Sequence, residues 1–303
     1  MRWEKLGRVY VPDGSATWAQ THAYVPTAYV RDAETIRVFA SFLDADRIGR
    51  IGYVDVESAD PRRVIGVSAT PVLDVGAAGT FDEHGVTPVG IVESGKRVLL
   101  YYMGWQRRDD MPYAIFAGVA ASSDGGQTFR RFLDRPVLPP GPSERVLRSA
   151  CTVQPGEVWR AWYVSGDAWT TVDGKAEPVY EIRRAESRDG IEWSAPGVVA
   201  VERKSDDEYG LGRPFLRETI DGLELWYSVR SRAAGYRIGV ARSSGGESWE
   251  RCDEEAGIDV SPTGWDSEMI CFACIHAVGD ETYMFYNGNS YGATGFGVAR
   301  LLR

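Results

Sequence analysis

A chain of 303 residues, 44% hydrophobic and 25% charged, has the balance of an ordinary globular protein and enough length to bury a large core. Its net charge of −9 and pI near 5.0 argue against a nucleic-acid backbone as partner. No stretch approaches the roughly 20 apolar residues of a membrane span, and Met1-Arg2-Trp3-Glu4-Lys5 opens without the apolar segment of a signal peptide, so a cytoplasmic location with no membrane partner is expected.

The predicted elements repeat along the chain. The first unit opens around Gln20 and His22, ahead of Pro26. The second opens at Asp82-Glu83-His84 and continues as a strand over 86–92, a hairpin at Glu93-Ser94-Gly95-Lys96 and an aromatic strand over 98–104. A third strand over 114–121, a turn at Ser123-Asp124-Gly125-Gly126 and a fourth strand near 128–132 complete it. The third unit starts at Glu144, the fourth at Glu208 before Leu225-Trp226-Tyr227, and the fifth at Asp266-Ser267-Glu268 before Phe285-Tyr286-Asn287-Gly288. Asp82, Glu144 and Asp266 each lie 22 residues before a glycine (Gly104, Gly166, Gly288), while Gln20, Asp82 and Glu208 each lie six before a proline. The starts are separated by 62, 62, 64 and 58 residues.

Such a period fixes the architecture before any single residue does. Four short antiparallel strands per unit, repeated with no helical segment of useful length, predict an all-β fold: one five-bladed β-propeller spanning residues 1–303 as a single domain. The last unit ends after its third strand, so residues 8–11 are expected to supply the fourth and close the ring. The turns at Ser123, at Ser187-Arg188-Asp189-Gly190 and at Ser243-Ser244-Gly245-Gly246 resemble Asp-box turns and are assigned to scaffold.

The first strand of each blade lines a propeller's axis, so equivalent positions should meet. Those positions hold Gln20, Asp82, Glu144, Glu208 and Asp266, with Glu83 and Glu268 beside two of them. Carboxylates gathered in one funnel raise each other's pKa and suit acid–base work; the alternative is that acids at strand starts only cap turns. Trp105, Trp169 and Tyr291 are candidates to stack on a sugar face, against the alternative of blade core. Arg148, Arg213 and Arg230 accompany the inner strands and can pair with the acids or hold a substrate carboxylate or phosphate. His22 and His84 share a repeat position and are expected as hydrogen-bonding neighbours in the funnel, with His276 toward the far end of its strand. Cys271 and Cys274 sit three apart on a strand and so face opposite ways, which leaves them as buried thiols. Neither a metal nor an organic cofactor is expected.

The five-unit count, the acids on inner strands and the Ser-x-Asp-Gly turns resemble the five-bladed glycosidase superfamily, which includes glycoside hydrolase families 32, 43, 62, 68 and 130. Gly79-Thr80-Phe81-Asp82-Glu83-His84-Gly85, Gly264-Trp265-Asp266-Ser267-Glu268-Met269 and Met284-Phe285-Tyr286-Asn287-Gly288-Asn289 are similar to bacterial glycosidase-like proteins. The resemblance implies a base or nucleophile in blade one, an orienting acid in blade two, which Asp82 matches, and a general acid in blade three, which Glu144 matches. Blade one offers Gln20 instead, with Asp13 and Asp32 as loop substitutes. The function expected is therefore processing of a small sugar conjugate or nucleotide-sugar-like molecule. Glu144 or Glu208 would be the general acid, and Asp82, Asp266 or Glu268 the second carboxylate. A sugar-binding propeller without catalysis and a glycoside phosphorylase are the alternatives.

Overall fold

The computed structural model describes residues 1–141, 144–194 and 196–302, and they form antiparallel β-meanders. The N-terminal strand β1 is Trp3–Tyr10. The first unit follows as β2 (Thr21–Val30), β3 (Thr35–Leu43), β4 (Gly49–Glu57) and β5 (Val64–Val67). The second is β6 (Val86–Ser94), β7 (Arg97–Gln106), β8 (Ala114–Ser122) and β9 (Arg130–Arg131). The third is β10 (Leu147–Gln154), β11 (Trp159–Val172), β12 (Lys175–Ser187) and β13 (Val198–Val201). The fourth is β14 (Glu208–Thr219), β15 (Gly222–Ser231), β16 (Arg237–Ser243) and β17 (Glu250–Arg251). The last is β18 (Cys271–Val278), β19 (Glu281–Asn287) and β20 (Phe296–Leu301), with β1 pairing antiparallel to β20 as the outer strand. That outer strand begins five residues before the expected 8–11, because Trp3 is buried edge-on against Trp226, ring centroids 5.9 Å apart.

Central strands read as unbroken apolar runs because both of their faces are covered. On β7, Tyr101 joins the core facing β10 and β11, while its neighbour Tyr102 joins the core facing β3 and β4. Alternation of side chains along a strand requires this split. Trp226 and Tyr227 on β15 divide in the same way between the fifth and third units, and Phe285 and Tyr286 on β19 between the first and fourth. Each fully buried aromatic of this kind contributes on the order of 2–3 kcal/mol of hydrophobic stabilisation. The first strands make a circuit of their own: β2 packs on β6, β6 on β10, β10 on β14, β14 on β18, and β18 back on β2.

These inner strands are all broken by a register shift at mid-strand. Four of the shifts carry a non-glycine residue in the left-handed region: Val25, Ala150, Arg213 and Phe272, with φ between 46° and 61°. A bulge of this kind sharpens local twist and re-aims the side chains around it. The amide freed at Val25 is satisfied by Asn287 Oδ1 at 2.8 Å, and that at Phe272 by Ser228 Oγ at 2.8 Å.

The serine turns are scaffold. Ser122 Oγ accepts from the Gly126 amide at 2.9 Å, Ser187 Oγ from Gly190 at 3.0 Å and Ser243 Oγ from Gly246 at 2.7 Å. In the first turn the anchoring serine is Ser122, one residue before the expected Ser123. Among the described residues no helix is long and apolar enough to cross a membrane.

Asp124 in that turn accepts from Ser122, Thr128 and the Gln127 amide. Burial works against its ionisation, but these bonds outweigh it and hold the carboxyl at about 2. Its contribution to stability is full above about pH 4 and is lost as pH falls through about 2. Asp124→Ala should therefore cost about 1 kcal/mol in urea denaturation at pH 7, since the group is solvent-screened. The difference from the unmodified chain should close as pH falls below about 2.

Candidate active site

The repeated acids are each held by a cation, away from the axis. Asp82 is fully buried; its Oδ2 accepts from Tyr102 on β7 at 3.0 Å and pairs with Arg131 on β9 at 2.8 Å. Asp266 accepts from Tyr286 on β19 at 3.0 Å and pairs with Lys5 on β1 at 2.7 Å. Glu144 accepts from Tyr163 and Ser165 on β11, both at 2.8 Å, and pairs with Arg148 at 3.1 Å. Glu208 forms a two-pronged pair with Arg251 on β17, at 2.7 and 2.9 Å. The common plan is an acid at the start of the unit joined to a tyrosine of its second strand, a base of its fourth, or both. Burial and the adjacent carboxylate push the Tyr163 phenol up to about 12 and those of Tyr102 and Tyr286 higher still, so all three donate. Gly104 lies under this clamp, where an added Cβ would fall 2.5–2.6 Å from Phe81 and Asp82.

The open space is elsewhere. Two lobes, of about 340 and 480 Å³, share Tyr24, Arg47, Trp105, Tyr113 and Tyr291 as walls and so form one cavity. Every inner strand reaches it: Tyr24 from β2, Thr87 from β6, Ala150 from β10, Arg213 from β14 and Phe272 from β18. Asp82, Glu144, Glu208, Asp266 and Glu268 do not line it, and in place of the expected meeting around one hollow the first four form separate ion pairs. The reason is electrostatic: a buried carboxylate needs a partner, which Asp82, Glu208 and Asp266 find on the outer strand of their unit and Glu144 finds in Arg148 of β10. Gln20 and Glu83 also stay outside, the latter bonded to the Gly79 amide at 2.7 Å. Arg148 is spent on Glu144. Trp169 stands behind the wall, edge-on to Tyr113 with centroids 5.2 Å apart.

His22, His84, Trp105, Arg213 and Tyr291 do line the cavity. Trp105 donates to Thr87 Oγ1 at 3.1 Å and lies against Tyr113, centroids 5.2 Å apart. Tyr236 stands edge-on to Tyr291 and tilted to Phe272, and its hydroxyl meets that of Tyr180 at 2.7 Å. His276 lies at the opposite end of the inner strands, in a separate cavity of about 190 Å³, so the three histidines do not share a site. Among the described residues no group of three or more His, Cys, Asp or Glu side chains could hold a metal.

Several lining groups escaped the sequence reading. The largest omission is Glu177, which lies on the hairpin of β11 and β12. These strands run 14 and 13 residues, and the outer part of the hairpin turns at Asp173 and Gly174, both in the left-handed region. An Asp-Gly turn flanked by an alternation longer than in the other units was the available signal. Arg47 is the second omission. It sits in the turn between β3 and β4 with φ of 60°, where Asp44 Oδ1 accepts from the Asp46 and Ile48 amides. Tyr24, Tyr113, Tyr180 and Tyr236 look like any core tyrosine in sequence.

Burial, and after it the neighbouring Arg47 guanidinium, pull the His22 imidazole down to about 4. The unfolded chain takes up this proton near its ordinary value of about 6.5, so folded stability should fall as pH drops from about 6.5 toward 4. Titration of the His22 ring resonances by NMR should give a midpoint near 4. A midpoint at 6 or above would place the ring in free solvent.

No family model matches the chain. Over 302 residues, 99% of both chains, it is 34% identical to the uncharacterized protein Rv1502 of Mycobacterium tuberculosis (strain ATCC 25618 / H37Rv). Among solved structures it is similar to a thermostable family-43 glycoside hydrolase, with TM-score 0.70 and 14% identity over 97% of this chain and 93% of that one. It is equally similar to a structure from the GH130 family of mannoside phosphorylases, which contains hydrolases of beta-1,2 mannosidic linkages in Candida mannan. That match has TM-score 0.70 and 14% identity over 98% and 93% of the two chains. The chain thus belongs to the family of Rv1502, and it shares its fold with these glycoside hydrolase structures.

Proposed function

We propose that the chain is a single-domain, five-bladed propeller that processes a small sugar conjugate in the two-lobed axial cavity. The five-blade reading is supported by the circuit of inner-strand contacts and by the five four-stranded meanders. One observation carries the functional reading: the first strands of all five meanders converge on a hollow walled by Tyr24, Trp105, Tyr113, Tyr236 and Tyr291, with Glu177 as its carboxylate. Aromatic walls offer flat apolar faces with polar tips, the form a sugar ring needs. The fold neighbours, drawn from glycoside hydrolases and a phosphorylase family, support the same class of substrate.

In this reading Glu177 replaces the sequence-named acids as the proton-transferring group. Arg230 Nη2, 2.7 Å from its carboxylate, holds it in place. Asp82, Glu144, Glu208 and Asp266 serve as clamps between strands, and Glu268 is exposed outside the cavity. Glycoside hydrolysis ordinarily uses two carboxyl groups, and the cavity presents one. That observation favours, as a second reading, a propeller that binds its sugar without turnover. Cytoplasmic residence is supported by four unbridged, buried cysteines.

Screening sugars and sugar conjugates for heat-stabilisation, with product analysis on each hit, separates the readings. Under the first, Glu177→Gln should lower turnover by at least about 100-fold while the protein still melts cooperatively. Binding without product in the unmodified chain would leave the second. Asp82→Asn should do the reverse, costing about 3 kcal/mol of stability with ligand affinity within twofold; full stability with lost turnover would return Asp82 to the site.

A further inference from the structure

The inner lobe is positively charged inside a molecule of net charge −9. Arg47, Arg213 and Arg230 line it against the single carboxylate of Glu177. Arg213 is 2% exposed, and among the described residues it has no acidic partner. Its guanidinium donates to neutral acceptors, the carbonyls of Ala273 and Pro26 and the hydroxyl of Thr27, and its Nε is buried without a partner. Arg230, 7% exposed, lies over the rings of Tyr209 and Tyr236 at 4.7 and 5.1 Å, and its Nε is also buried and unpartnered. Burying a guanidinium without a counter-ion is costly. Arg230 has Glu177 as its counter-ion, 2.7 Å away, so the charge left unbalanced in the lining is that of Arg213, and its burial is explained when the occupant brings the missing charge.

We propose that the ligand of this cavity is an anionic sugar conjugate whose carboxylate or phosphoryl oxygens seat in the inner lobe against Arg213 and Arg230. The planar fork of arginine matches both oxyanions, and the match is strongest where water is excluded. Arg47 and Arg107 stand exposed at the outer lobe with no acidic partner among the described residues, and they draw an anion toward the mouth. The sugar part of the proposal rests on the carbohydrate reading above; the anion part rests on charge alone.

Calorimetric titration of the full chain with inorganic phosphate, glucose 1-phosphate, glucuronate and glucose tests it. At least one charged sugar should bind about tenfold or more tightly than glucose. Arg213→Lys and Arg230→Lys, checked by thermal melting, should each weaken that binding about tenfold. Glu177→Gln removes the opposing charge and should tighten it severalfold; if a lysine variant fails to fold, this variant decides. Glucose binding as well as its charged counterparts would overturn the anion seat and leave the carbohydrate reading standing. Phosphate binding with all three sugars silent would support the seat and remove the carbohydrate reading. No binding by any probe, or unchanged affinity in Glu177→Gln, would overturn the proposal.

Discussion

The buried carboxylate at the start of a unit is the constraint on which much of this structure depends. Asp82, Glu144, Glu208 and Asp266 are each taken out of water, or nearly so, and each must find compensation within reach. For Asp82 and Asp266 the compensation joins strands distant in sequence: a phenol on the second strand and a base on the fourth. The clamp of the fifth unit also spans the two ends of the chain, since Lys5 lies on β1 and Asp266 precedes β18. The last meander is thereby completed by an ion pair as well as by the ladder between β1 and β20.

With the acids committed to clamps, the axis is left to other side chains. Register shifts in the inner strands turn Tyr24, Arg213 and Phe272 toward a common hollow, and the long hairpin of β11 and β12 adds Glu177 and Tyr180. Left-handed backbone at four of these bulges carries a cost on the order of 1–2 kcal/mol each. Strain retained in this way is commonly found where a site is built. The resulting wall is aromatic, with cations beneath it.

That combination separates this chain from the simplest expectation for its fold. A pair of carboxylates facing each other across the axis would have signalled hydrolysis by the usual route. Here one carboxylate, held by an arginine, faces a surplus of guanidinium groups.

The sequence by itself determined the repeat, the strand count within each unit and the turns between strands. Those features are local: apolar runs near 98–104 and 283–286, Asp-Gly and Ser-x-Asp-Gly turns, and glycines such as Gly104 where a second segment must pass close. It also picked out Trp105, Arg213, Tyr291, His22 and His84 among the cavity residues, because each lies on or beside an inner strand or the end of a second strand. What the acids do could not be read the same way, since a sixty-residue spacing says that four carboxylates are equivalent but not which way they point. Direction was decided by partners far along the chain: Arg131 lies 49 residues beyond Asp82, and Lys5 lies 261 before Asp266. Glu177 and Arg47 were likewise placed by the length and turn geometry of their hairpins, which only the assembled sheets bring over the axis.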